Sequence, residues 1–298
     1  MTGPALYILK EILRNFKKKS NYENIPATRL RLEQRLAKFN FALPSFRHES
    51  FEINGIEAEW IYPKSADESK VLLYFHGGGY AACSINTHRS LVSRILKHAG
   101  IKGLMINYRL APEHPYPAAI EDAFTAYQWL LQSGYKPEQI AFGGDSAGGG
   151  LAIGALLYIR DNNMTMPKCV LAISPWLDHT FSGLSYHSLK EIDPMLIQEG
   201  LPIWSKNYLG DADPRSPYAS PIFHNLSGLP PVYVQVGEEE IILDDSTRFA
   251  DKAKAEGVDV TIEIFPKLFH VFQAFWLVLP AARKANRKLG EFLKSHLA

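Results

Sequence analysis

The segment Gly144-Asp145-Ser146-Ala147-Gly148 constrains this chain more than any other five residues. It follows the apolar run Gln139-Ile140-Ala141-Phe142 and precedes a helical pattern over Gly149–Asp161. A serine between strand and helix lies on a sharp turn, and glycines two before and two after it make room for crowded backbone. The turn lifts the hydroxyl above the sheet edge, at a helix N-terminus whose dipole favours developing negative charge. Gly143, Gly144, Gly148, Gly149 and Gly150 also raise a nucleotide-binding alternative, which fails on detail. A P-loop would end in Gly-Lys-Ser/Thr, and a dinucleotide fingerprint starting at Gly148 would need glycine where Ile153 stands. Ser146 is therefore read as a nucleophile.

The rest of the chain supplies the frame such a turn requires. Strand patterns at Ile56–Tyr62, Val71–Phe75, Leu104–Tyr108, Ile140–Gly143, Val170–Ser174, Val232–Val236 and Val258–Phe265 alternate with helical patterns. The helices are expected at Thr87–Ala99, Ala118–Leu131, Gly149–Asp161, Asp244–Glu256 and Ala281–Leu297. That rhythm argues for a mostly parallel sheet covered by helices on both faces. Residues 1–45 break it: Leu6, Leu9, Leu13 and Phe16 recur at helical spacing before the first strand. The stretch 183–216, with Asp193-Pro194 and Trp204, breaks it again as a long insert. Both are read as a helical cap over the carboxyl edge of a catalytic domain spanning 46–298. Tyr22, Phe39, Phe41 and Trp204 are candidates for the cap's own core or for lining a channel beneath it.

At 298 residues the chain suits one large domain, and a formal net charge of +1 gives no reason to expect nucleic acid or an anionic membrane as partner. The run Lys17-Lys18-Lys19 reads as a solvated helix end. Cys83 and Cys169 make no disulfide framework, and Cys169 reads as a buried free thiol. With neither a leader pattern nor an apolar stretch of about 18 residues, a soluble cytoplasmic protein is expected.

A serine hydroxyl needs a base and an oxyanion site. His76-Gly77-Gly78-Gly79, directly after the strand Val71–Phe75, supplies close-approaching backbone; the amides of Gly77, Gly78 and Ala147 are the expected donors. Among the downstream histidines, His179 and His187 come too soon after Ser146 and His296 lies in a terminal helix. His270 follows the last strand, where a loop returns it to the sheet edge, and is the expected base. The acid should follow Val232–Val236, where Glu238, Glu239, Glu240, Asp244 and Asp245 are on offer. Glu238 and Glu239 read as solvated, Asp244 and Asp245 as helix-capping, and Glu240 as the best of the five. Metal readings fail: His48-Glu49-Ser50-Phe51-Glu52 ends in glutamate where a zincin has histidine, and Glu113-His114 lacks a second histidine at helical spacing.

With these motifs in place, the sequence resembles the hormone-sensitive-lipase-like esterases, the bacterial family IV lipolytic enzymes of the α/β-hydrolase fold. The resemblance runs from about residue 55 to the end. It rests on His76-Gly77-Gly78-Gly79-Tyr80, on Asn107-Tyr108-Arg109-Leu110-Ala111-Pro112-Glu113-His114-Pro115-Tyr116-Pro117-Ala118-Ala119, and on Gly144-Asp145-Ser146-Ala147-Gly148-Gly149. Ser174-Pro175-Trp176 and Gly228-Leu229-Pro230-Pro231 fit as well. It implies Glu240 as acid, three residues beyond the glycine that ends its strand, and His270 as base within His-Val-Phe. It further implies an oxyanion hole at Gly77, Gly78 and Ala147, a helical cap, no cofactor or metal, a short- to medium-chain ester substrate and a possible homodimer. Asp145 and Arg109 to Glu113 fall among its scaffolding positions. One departure stands out: Cys83 occupies a position that is usually glycine. Two other functions fit the same fold. A non-catalytic small-molecule receptor is one, as in the plant gibberellin receptors, which lack the histidine. An amide, thioester or carbamate hydrolase using the same triad is the other.

Overall fold

The computed structural model describes residues 3–18, 24–39 and 43–297. Tyr22, Phe41 and the side chain of Phe39 lie outside that description. The alternating pattern resolves into one eight-stranded sheet in the order β1-β2-β4-β3-β5-β6-β7-β8. The strands are β1 (Phe46–Ile53), β2 (Ile56–Pro63), β3 (Asp67–Phe75), β4 (Ile101–Ile106), β5 (Ile140–Asp145), β6 (Cys169–Ile173), β7 (Val232–Gly237) and β8 (Val260–Phe265). β1 and β2 run antiparallel to each other and β2 runs antiparallel to β4; every other pairing is parallel.

Period-two alternation splits the core. Leu72, Tyr74, Ala141 and Leu171 point to one face and meet α3 (Ile85–Ala99) and α9 (Pro280–His296). Val71, Leu73, Phe75 and Phe142 point to the other and meet α4 (Ala118–Gln132), α5 (Ala147–Asp161) and α8 (Leu243–Ala255). Because both faces are covered, β5, β6 and β7 are buried along their whole length, which is why they read as unbroken apolar runs. Each fully buried leucine of this kind contributes roughly 1.5–3 kcal/mol. α3 starts where Ser84 accepts from the Asn86 amide and Thr87 closes a capping box, and it stops at left-handed Gly100.

The first strand was not anticipated. β1 sits at the sheet edge with most of its residues exposed, so its sequence carries no apolar alternation. The segment His48–Glu52 lies on this strand, and no group of metal-ligating side chains exists among the described residues.

Two helices precede the sheet, α1 (Pro4–Lys18) and α2 (Ile25–Leu36), and two more lie in the insert, α6 (Ser185–Ser188) and α7 (Gly200–Leu209). Leu6 of α1 is buried against Leu268, Phe269 and Phe272, with Leu9 and Leu13 beside it. Phe16 instead faces outward under Arg35. Lys17 is no free helix end: its ammonium donates to the Lys190 and Asp193 carbonyls, 3.1 and 2.8 Å away, tying α1 to the insert. Trp204 of α7 is buried in the core. Among the described residues no helix is long and apolar enough to cross a membrane.

Candidate active site

Five consecutive parallel strands deliver side chains to one carboxyl edge. β3 ends at the His76–Gly79 loop, β5 at Ser146, β6 at Ser174, β7 three residues before Glu240, and β8 five residues before His270. Ser146 takes φ +53°, ψ −122°, a conformation held because its N–H donates to the Ile173 carbonyl and its carbonyl accepts from Trp176 and Gly150. Gly148 permits the turn: a Cβ there would lie 2.0 Å from the Phe75 carbonyl oxygen.

His270 Nε2 lies 2.9 Å from Ser146 Oγ, and Nδ1 lies 2.8 Å from Glu240 Oε2. A carboxylate only accepts, so Nδ1 carries the proton and Nε2 is left to accept from the serine. Glu240 is fully buried. Its second oxygen accepts from Ser174 Oγ at 2.7 Å and from the Gly237 amide at 2.5 Å. Ser174 Oγ in turn accepts from the Val271 amide at 3.2 Å, so one hydroxyl braces both the acid and the residue after the base. Burial pushes the imidazolium of His270 toward neutrality. The hydrogen bond and charge of Glu240, with Asp193 and Asp145 adding, outweigh it and hold the pKa above 6.5.

Behind the nucleophile, Asp145 organises the glycine loop. Its Oδ1 accepts from Tyr74 Oη at 2.8 Å and from the Gly77 amide at 3.2 Å, and its Oδ2 faces His88 Nε2 at 3.2 Å. The buried pair is ionic: burial opposes both charges, yet each partner's pKa moves toward its charged form. This corrects the expected donor set. Gly77 has spent its N–H on Asp145, so the loop amides left for an oxyanion are those of Gly78 and Gly79. Ala147 supplies the first N–H of α5, which has no intrahelical partner by position. Gly78 sits at φ +118°, where a side chain would strike the Ala82 carbonyl. Cys83 sits at φ +70°, so the usually glycine position does require left-handed backbone, and cysteine bears a strain of roughly 1–2 kcal/mol.

The other acidic candidates have different duties. Glu239 is not solvated: it pairs with Lys10 of α1 at 2.6 Å, largely buried. Glu238 accepts from the Lys267 amide. Asp245 does not cap its own helix but accepts from the Leu177 and Asp178 amides, while Asp244 exchanges hydrogen bonds with Ser185 of the insert. Asp193 of the insert accepts from the Ile241 amide at 3.0 Å, pinning the residue next to Glu240. The remaining histidines lie elsewhere: His179 is buried against Trp176 and Ser205, His187 meets Gln198, His224 meets the Arg215 carbonyl, and His296 ends α9. From α7, Tyr208 stacks on Tyr80 at 3.6 Å, so the insert rests on the glycine loop.

Sequence reading missed His88, Ser174 and Asp193 as site-building residues. Only Ser174 carried a signal, as the residue opening Ser174-Pro175-Trp176.

This constellation on this sheet is that of a serine hydrolase. A family model described as alpha/beta hydrolase fold matches residues 72–274. An acetyl-hydrolase of Streptomyces hygroscopicus is 42% identical over 238 residues, covering 80% of this chain and 79% of that one. An esterase of Acinetobacter venetianus is 36% identical, covering 85% and 83%. Among solved structures, an esterase from the bacterial hormone-sensitive lipase family superposes with a TM-score of 0.95 at 38% identity over 100% of both chains. EstE5, solved after soaking with p-nitrophenyl butyrate, gives 0.93 at 41% identity over 99% of both. The chain therefore belongs to the α/β-hydrolase family, within the hormone-sensitive-lipase group of esterases, and is an enzyme of the carboxylesterase class.

Proposed function

We propose that the protein cleaves short- to medium-chain carboxylic esters through a Ser146–His270–Glu240 triad and an acyl-enzyme. The observation that carries this reading is the unbroken relay from Ser146 Oγ through His270 to Glu240, at 2.9 and 2.8 Å. Ser146 attacks the ester carbonyl as His270 Nε2 takes its proton, and Glu240 stabilises the imidazolium and keeps its tautomer. The amides of Gly78, Gly79 and Ala147 receive the oxyanion; losing one such donor typically costs about 2.7–4 kcal/mol of barrier. The imidazolium protonates the leaving alcohol, and water activated by the same nitrogen then releases the acid. Residues 1–45 and the insert 183–216 act as the cap, a reading supported by the Tyr208–Tyr80 stack and the Lys10–Glu239 pair. The acyl-size reading is supported by an acetyl-hydrolase among the relatives and by a neighbour soaked with a butyrate ester.

The test is steady-state turnover of p-nitrophenyl acetate, butyrate, octanoate and palmitate by wild type and Ser146→Ala. Turnover should fall with chain length and drop at least about a thousandfold in the variant. A folded variant keeping a tenth of wild-type kcat would remove Ser146 from the mechanism. Palmitate turning over fastest would overturn the size reading.

A further inference from the structure

On the face of the sheet covered by α3 and α9, the two helices and the segment before α9 enclose a groove of about 440 Å³. Arg94, Lys97, His98, Arg283, Lys284 and Arg287 line it, and no carboxylate does. None of these residues belongs to the triad or the glycine loop. In a chain of net charge +1 such a concentration of one sign is a local feature with its own repulsive cost. One counter-charge, Glu291, sits 3.7 Å from Arg287 in an exposed pair. Arg283 donates to the Trp276 and Leu277 carbonyls.

The floor is built rather than incidental. Trp276 is anchored by its indole N–H to Ser90 Oγ at 2.9 Å, and the Arg94 guanidinium lies 3.3 Å from the ring centroid. That stacking orients the guanidinium, yet its buried Nε has no hydrogen-bond partner. Asn286 donates to the Gln273 carbonyl, and its buried Oδ1 also has no partner. Two residues lining one cationic groove, Arg94 and Asn286, therefore each hold an unmet buried polar atom, which is costly.

We propose that this groove binds a phosphate group carried next to a hydroxyl, as in a glycerol phosphate. The phosphate oxygens would meet Arg94, Lys97 and Lys284, a guanidinium and two ammonium groups suited to that anion. The neighbouring hydroxyl would donate to Asn286 Oδ1, buried in the free protein, as the groove wall opens on binding. A cavity of this size holds a small molecule. Such a group could come free or as a lipid headgroup, and the half-exposed Leu277 and Val278, in the chain between lining residues Trp276 and Pro280, give the second source an apolar foothold. The site would be separate from ester cleavage.

His98 supplies a local reporter. Burial lowers its pKa, and Lys97, Arg287 and Arg94 depress it further while Glu291 partly offsets them. A bound phosphate would raise it. The experiment titrates the full-length enzyme with glycerol 3-phosphate at low ionic strength, following the His98 imidazole by NMR. In parallel, sedimentation compares phosphatidylglycerol with phosphatidylcholine vesicles. Lys97→Glu/Lys284→Glu leaves the floor intact, and Arg94→Gln removes the orphan donor. We expect dissociation constants of about 1 mM or below, weakened at least about tenfold in the double variant, with ester turnover unchanged. Capture by phosphatidylglycerol vesicles alone, lost in the double variant and in Leu277→Ser/Val278→Ser, would assign the phosphate to a lipid. No His98 response at about 10 mM ligand together with equal sedimentation on both vesicles would overturn the site. So would binding that both charge variants retain.

Discussion

Replacing Ser174 by alanine separates what the site needs for folding from what it needs for catalysis. The hydroxyl is one of two donors to Glu240 Oε1, the other being the Gly237 amide, and it accepts from the Val271 amide. Its loss removes a hydrogen bond to a charged group, worth about 1.5–3 kcal/mol, and leaves a buried N–H unpaired, at about 1–3 kcal/mol. These terms overlap, and a stability loss of about 3 kcal/mol is expected in urea unfolding. The barrier should rise by less. Ser174 braces Glu240 both before and during proton transfer, so only the change in the glutamate's interaction with the imidazolium counts. A carboxylate and a base loop that have each lost one restraint should lower kcat by about tenfold, or about 1.4 kcal/mol, with KM unchanged. The assay is p-nitrophenyl butyrate turnover at a pH above the acid limb, beside the unfolding curve. A kcat within about twofold of wild type despite the expected stability loss would refute the bracing argument and leave Ser174 a structural residue. A raised KM with intact kcat would mean that the hydroxyl contacts substrate.

Two further outcomes follow from burial and charge. The base must be neutral, and Glu240 holds its pKa above 6.5, so kcat/KM should rise with pH through a midpoint above 6.5. Glu240→Gln should move that midpoint down, and a profile flat across the range would contradict the assignment. Stability has the opposite sign. The folded pKa of His270 exceeds its unfolded value, so its contribution is full below 6.5 and is lost as pH rises through the folded value. Burial lifts the thiols of Cys83 and Cys169 to about 12, so a disulfide reagent at pH 8 should label neither in the native enzyme and both in denaturant. Rapid native labelling of Cys83 would show that its loop opens.

The local parts of this enzyme were legible because their physics is local. A nucleophile turn needs its glycines within two residues, and parallel strands buried on both faces declare themselves as apolar runs. Helix bounds lie within a residue or two of the pattern, as for α3, read from Thr87 to Ala99 and running from Ile85 to Ala99. β1 was missed although Asn54-Gly55, both with positive φ, is a strong hairpin signal. An edge strand exposed along most of its length has little apolar pattern to show, and the turn alone did not outweigh that.

What only the tertiary structure decided concerns partners far apart in the chain. Nothing near His76–Gly79 says that the Gly77 amide is taken by Asp145, because the acceptor arrives from a different strand. Local sequence made Lys17 and Glu239 look like solvent-facing charges, whereas docking of α1 and the insert pairs Glu239 with Lys10 and ties Lys17 to the Lys190 and Asp193 carbonyls. The sequence by itself determined which residue types the chemistry would use and the strand ends that carry them, since those follow from spacing. Which amide is free, which carboxylate is paired and which hydroxyl braces the base depend on long-range packing, because a hydrogen-bonding group is satisfied by whatever the fold brings within reach.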